Sequence, residues 1–397
     1  MVDAIVGGQV LTADRSLQPF DVIIDRGRIH SLVRSGTHAF TDHELLDADG
    51  GVVSPGFIDT HVHGARGHNF MRLGDGSPSV AAHLAAAGVT SCLGTTVTTG
   101  AASLAQAIED LAGRTDLDGA VDVLGIHLEG PFLDPGHRGV HPPEHLRPPS
   151  QTELDNLLHL ADGRLRIATL APELLGAKLA IRRLVEAGVT VSLGHSGISH
   201  DGAVLAFQNG VSRVTHCFNG LQPIHHRAPG PIVAALTNPS VHVELVGDGE
   251  HVDPEVVRWV WQQIGTDRLV LVSDGVDVSG LPDGQHRRWE GTSVVLQDGV
   301  SRTPTGGLAG GTKGLAGCVR DLVRVGALPL ADALCAASET PARSIGIEGV
   351  KGRIVPGHDA DLVVLDADLN LRATVHAGTL TYQHPDTPRT PRLRRHL

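Results

Sequence analysis

The sequence predicts a (β/α)8 barrel of the TIM type, joined to a small β-sandwich built from both chain termini. Three observations predict it. From residue 54 onward, short apolar strands alternate with Ala- and Leu-rich helical stretches; eight such units can be counted; and the two ends of the chain share a different, meander-like pattern.

The predicted barrel strands are GFIDTHVH (56–63), VTSCLGTTV (89–97), DVLGIHLEG (122–130) and LRIATLAPE (165–173), then VTVSLGHS (189–196), SRVTHCFN (212–219), VHVELVGDG (241–249) and DRLVLVSDG (267–275). Helical segments such as SVAAHLAAAG and AKLAIRRLVEAG lie between them, so consecutive strands run parallel. An internal echo supports repeated βα units: Ala87-Gly88-Val89-Thr90 recurs as Ala187-Gly188-Val189-Thr190, each placing a glycine after a helix and before a strand.

Residues 1–53 alternate and turn like a small β-meander, and residues 350–385 resemble them. Each piece is short for a separate domain, so the two are expected to pair into one β-sandwich flanking a catalytic barrel of residues 54–349. Residues 386–397, rich in proline and arginine, are expected to form a flexible tail.

Composition narrows the function. The chain has 397 residues, 41% hydrophobic and 19% charged, which describes a globular protein. A net charge of −12 without a long basic run argues against nucleic-acid binding. Cys92, Cys217, Cys318 and Cys335 form no C-x-x-C pair, which fits a reducing compartment. The opening MVDAIVGGQV has no basic region ahead of an apolar stretch, and no apolar run is long enough to span a membrane. The expectation is a cytoplasmic protein that binds neither nucleic acid nor membrane.

Chemistry in such barrels sits at the C-terminal ends of the strands. In PGFIDTHVHG, side chains alternate, so His61 and His63 point the same way. The other predicted strand ends carry Glu129, His195, His216 and Asp274. An isolated histidine is more often exposed or satisfied in a core. Six N or O ligands at the ends of five strands form a constellation that needs a cation to offset its desolvation, so a divalent metal is predicted, zinc foremost and Fe2+ next.

The segments PGFIDTHVHG, GIHLEGPF, GHS, THCFNG with HHRAPG, DGEHVDP, LVSDG, and TPARSIGI with KGRIVPGHDADLVVLD run in order through nearly the whole chain. In these the chain resembles the amidohydrolase superfamily and, within it, the N-acetylglucosamine-6-phosphate deacetylase family. That resemblance implies that Glu129, His195 and His216 hold one metal. Some family members lack the His-x-His pair and keep only that ion; the presence of His61 and His63 here allows a second, so one or two ions per subunit are expected. Hydantoinase-like relatives bridge two metals with a carboxylated lysine on strand four. LRIATLAPE has no lysine, and Glu129 on strand three can take that role.

The resemblance also implies hydrolysis of the acetamide of N-acetylglucosamine 6-phosphate. Asp274, at the end of strand eight, is placed to take a proton from water and return it to the leaving amine. His141, in HRGVHPP, matches the family histidine that polarises the substrate carbonyl, an assignment that rests on the resemblance alone. Arg227 and His251 match phosphate-contacting positions, and Asn219 and Gly220 add donors for the sugar phosphate. The family counterpart of Arg227 reaches across a dimer interface, so a homodimer is expected.

Three departures concern the sugar pocket: Asn219-Gly220 where the family often has Asn-Ala, LAGGTKG where a serine is common, and GVDVSG in place of an Ala-rich stretch. They leave open another N-acetylhexosamine phosphate or N-acylated amine. A barrel kept as a non-catalytic scaffold would have lost ligands, and none is lost here.

Overall fold

A computed structural model describes residues 1–38, 40, 43–288, 291–385 and 387. The predicted flexible tail, apart from Thr387, lies outside the described residues.

Eight parallel strands form the barrel: β1 (Phe57–Val62), β2 (Val89–Thr95), β3 (Val121–Glu129), β4 (Leu165–Leu170), β5 (Thr190–Leu193), β6 (Val211–Val214), β7 (His242–Val246) and β8 (Leu269–Val272). Each pairs in parallel with the next in sequence. A parallel bridge from Val62 to Gly275 and the bond from the Asp274 amide to the His61 carbonyl (3.0 Å) join β8 to β1. All six residues of β1 and all seven of β2 are buried, as strands covered on both faces must be.

Several strands stop short of their predicted ends. Those predicted to run to 196, 219 and 275 end at Leu193, Val214 and Val272. His195, His216 and Asp274 follow them with φ of 47°, 26° and 49°. A left-handed residue cannot continue a ladder, so the backbone turns there and swings each functional side chain over the barrel mouth.

The termini form a single eight-stranded sheet. Val52–Pro55 pairs antiparallel with Leu362–Leu365 and parallel with Ala4–Leu11, so the last strand before the barrel joins the two ends. The sheet folds back on itself: Arg28 bridges Asp359, and the Gly27 turn meets Ala377. It thereby encloses its own core of Ile5, Val10, Val22, Ile29, Val53, Leu362, Val364 and Val375. Nζ of Lys351, almost buried, lies 2.7 Å from Asp122 on β3 and 3.0 and 2.5 Å from Asp359 and Asp361, which ties this sheet to the barrel.

One element escaped the sequence reading. After β8 the chain makes a three-stranded antiparallel sheet, Gly284–Arg287, Ser293–Gln297 and Val300–Arg302. With the following loop it builds one wall of the barrel mouth.

Candidate metal centre

All six predicted ligands meet at that mouth. Oε1 of Glu129 lies 2.9 Å from Nε2 of His216 and 3.2 Å from Nε2 of His195, and those two nitrogens are 3.1 Å apart. On the other side, Nε2 of His63 lies 3.2 Å from Oε2 of Glu129, 3.3 Å from Oδ1 of Asp274 and 3.2 Å from Nε2 of His61. Glu129 therefore stands between two histidine pairs.

The hydrogen bonds at the outer nitrogens decide what the inner ones present. Nδ1 of His195 faces the His137 carbonyl at 2.9 Å, and Nδ1 of His216 the Asn219 carbonyl at 3.1 Å. A carbonyl only accepts, so both Nδ1 atoms carry hydrogen and both neutral rings turn a lone pair inward. Two imidazole lone pairs and a carboxylate oxygen within about 3 Å of one another repel unless a cation or added protons lie among them. Borderline N and O donors suit a divalent transition metal, so the residues fit such an ion. His61, His63 and Asp274 offer a second set, with atoms all within 4.8 Å of each other.

The electrostatics agree. Burial pushes Glu129 and Asp274 toward their neutral forms, but the surrounding imidazoles hold both carboxyls well below their usual range. Burial likewise opposes charge on His61 and His216, and the carboxylates raise both. His141 differs: burial pushes it down to about 4, so it is neutral at pH 7. Its Nδ1 accepts from the Thr98 amide at 3.4 Å and contacts the Thr98 hydroxyl at 2.9 Å, which leaves the hydrogen on Nε2, 3.5 Å from Glu129.

A cavity of about 310 Å³ opens over the centre, lined by His63, Glu129, His141, His195, His216 and Asp274 among others. Three of the four predicted substrate-contact residues line it as well: Asn219, Gly220 and His251. Nδ2 of Asn219 is buried without a hydrogen-bond partner among the described residues, a donor waiting for an acceptor. Gly220, at φ 61°, packs where a Cβ would come within 2.8 Å of Nδ1 of His195. Nδ1 of His251 lies 2.8 Å from Asp248, and its Nε2 lies 4.0 Å from Asp274.

Arg227 does not line the cavity. It is exposed on the loop after β6, with Nη1 2.6 Å from Nε2 of His226. The arginine that does line the cavity is Arg288, 5% exposed, directly after the first strand of the inserted sheet, with Nε 3.2 Å from Asp277. The unusual GVDVSG segment marked Asp277; nothing in the sequence marked Arg288. Glu244 and Arg213, wholly buried beneath His61, also went unnoticed, because a charge inside a strand reads as one alternating polar residue among many. Asp122, Asp361 and His376 form a further cluster of ligand types, but Lys351 already supplies its cation.

A parallel barrel that gathers histidines and carboxylates at the C-terminal ends of its strands has the layout of a metal-dependent hydrolase. The sequence profile of the Amidohydrolase family matches residues 52–387, and the chain belongs to that family. It is 39% identical over 341 residues to an N-acetylgalactosamine-6-phosphate deacetylase of Escherichia coli O157:H7, covering 85% of this chain and 89% of that one. It is 35% identical over 338 residues to the N-acetylglucosamine-6-phosphate deacetylase of Vibrio furnissii, covering 84% of each. Among solved structures, a mutant N-acetyl-D-glucosamine-6-phosphate deacetylase from Mycobacterium smegmatis, in complex with N-acetyl-D-glucosamine-6-phosphate, superposes with a TM-score of 0.88 at 34% identity, covering 95% and 98% of the two chains. The Thermotoga maritima N-acetylglucosamine-6-phosphate deacetylase gives 0.85 at 30%, covering 96% and 100%.

Proposed function

We propose that this chain hydrolyses the acetamide of N-acetylglucosamine 6-phosphate to glucosamine 6-phosphate and acetate. One observation carries the reading: a converging Glu129, His195 and His216 set opens into a cavity that also presents a carboxylate, Asp274, and a neutral imidazole donor, His141. Glu129, His195 and His216 would hold one divalent ion, zinc or Fe2+, and His61 and His63, with Glu129 and Asp274, a second. A bound ion supplies Lewis acidity, easing ionisation of water and polarising the acetyl carbonyl.

The chain's own groups do the rest. Asp274, ionised at pH 7, takes the proton of the attacking water and returns it to the nitrogen as the C–N bond breaks, which releases acetate and the free amine. Nε2–H of the neutral His141 donates to the carbonyl oxygen as it gains charge. Asn219, Gly220 and His251 receive the sugar phosphate. Arg227, outside the cavity of its own chain, would complete a neighbour's site in a homodimer. The four cysteines are buried and unpaired, in keeping with a reducing cytoplasm. Among the described residues no helix is long and apolar enough to cross a membrane.

The 39% identity to an N-acetylgalactosamine-6-phosphate deacetylase favours a second reading, the C4 epimer as substrate. Acetate release from both N-acetylhexosamine 6-phosphates and from unphosphorylated N-acetylglucosamine, with zinc-loaded protein, tests both. A ratio of kcat/KM values above about ten selects the epimer. Equal rates with and without phosphate would remove the phosphate pocket, and no acetate from any of the three would overturn the reaction.

A further inference from the structure

The ligand character of His61 is decided one layer below the cavity. Oε1 of Glu244, on β7, lies 2.6 Å from Nδ1 of His61 and accepts the His216 amide at 3.1 Å. Its Oε2 accepts from Nε and Nη2 of Arg213, on β6, at 3.1 and 2.6 Å. Arg213 is fixed in turn by the Thr60 and Ser344 hydroxyls, at 2.5 and 2.7 Å. Glu244 and Arg213 are wholly buried, and neither lines the cavity. Their purpose is therefore not contact with substrate.

We propose that Glu244, held by Arg213, is the positioning residue that gives this chain its second metal seat, by locking His61 in the tautomer that turns its Nε2 lone pair toward His63, Glu129 and Asp274. This rests on the metal-dependent reading above. Around the carboxylate every neighbour must donate: Arg213 has only donors, and so has the His216 amide. Nδ1 of His61 must then carry hydrogen, which frees Nε2 for an ion.

The other histidines of the centre are not set this way. His195 and His216 are fixed by backbone carbonyls, which no side-chain substitution removes. Nδ1 of His63 is buried without a hydrogen-bond partner among the described residues, so nothing there fixes its tautomer. Of the His61 and His63 pair, only His61 is anchored, and its anchor is the one that mutation can alter. The second seat can thus be lost while the first is kept.

Glu244→Gln tests this. An amide has one accepting end. If its oxygen stays on Arg213, its NH2 meets Nδ1 of His61 and favours the wrong tautomer; if the oxygen turns to His61, NH2 confronts Arg213. Zinc titration followed calorimetrically, with metal counted by mass spectrometry after gel filtration, should give two ions for the unaltered protein. The variant should give one, its second Kd raised about 10- to 100-fold and its first changed far less, since Glu244 touches His216 only through the backbone amide. Adding Arg213→Met removes the confrontation, lets the amide oxygen face His61, and should recover much of the second binding step.

Purely structural packing predicts the reverse, with the double variant no better than the single one. The proposal is overturned if folded Glu244→Gln keeps both ions at unaltered Kd, if both ions weaken alike, if the double variant fails to recover, or if the unaltered protein takes only one ion. Unaltered protein that takes no zinc at all would instead overturn the metal-dependent reading beneath it. Thermal unfolding of each metal-free variant shows that the comparison is made between folded proteins.

Discussion

Nε2 of His195 and Nε2 of His216 stand 3.1 Å apart, and both face Oε1 of Glu129. With each Nδ1 bonded to a carbonyl, neither neutral ring has a proton to place in that gap. The arrangement is at rest with a cation in it, or with extra protons.

Metal affinity should therefore depend on pH. In the metal-free protein, burial opposes charge on His216, but Glu129 outweighs it and raises the imidazole above its ordinary value. Below that raised value the site holds a proton that zinc must expel, so affinity falls as pH falls. Wherever pH lies below that raised value, each proton displaced raises the zinc Kd by up to about tenfold per pH unit lost. A Kd that stays flat from pH 6 to 8 would contradict it.

Asp274→Asn should leave zinc on Glu129, His195 and His216 while lowering kcat by about 10²- to 10⁴-fold, the usual worth of a positioned acid–base group. Metal content beside turnover is the measurement. Near-normal turnover would assign the proton transfers to another group.

Arg227→Ala should raise KM for the phosphorylated substrate more than for its unphosphorylated analogue. Because Arg227 lies outside the cavity of its own chain, mixing this variant with a variant inactive through Asp274→Asn should produce hybrid dimers with an intact shared site. Equal effects on both substrates, or no recovery on mixing, would remove Arg227 from the phosphate site.

Lys351→Met should destabilise the fold by about 3–5 kcal/mol, because it leaves the Asp122, Asp359 and Asp361 carboxylates facing one another with their cation gone. Chemical denaturation at pH 7 measures this. In the unaltered protein burial works against the Asp122 charge, yet His376 and Lys351 hold it at about 2. A depressed carboxyl gives stability that is present above its ordinary value near 4 and lost as pH falls toward about 2. The acid limb of the stability curve should shrink in the Lys351 variant.

The strands and the ligand types were legible because each is local. Gly56 to Val62 reads as a buried strand from its apolar run, and the His61 and His63 alternation follows from a period of two. The eight-unit count gave the barrel, and the barrel gave the end at which chemistry sits. The left-handed turns at His195, His216 and Asp274 were not legible, since nothing in the residues themselves announces where a ladder stops. Arg288 was hidden for another reason: it arrives directly after the first strand of an inserted sheet whose position over the mouth follows from packing.

By itself, then, the sequence determined the barrel, the union of the two termini and the six residues that meet at its mouth, because strand period and repeat order are properties of the chain alone. The tertiary structure alone decided how those residues act. Tautomers, depressed carboxyls and a neutral His141 depend on which atoms lie within about 3 Å across strands far apart in sequence. Glu244 beneath His61, 183 positions away in sequence, is chosen by the closing of the barrel and by no local rule.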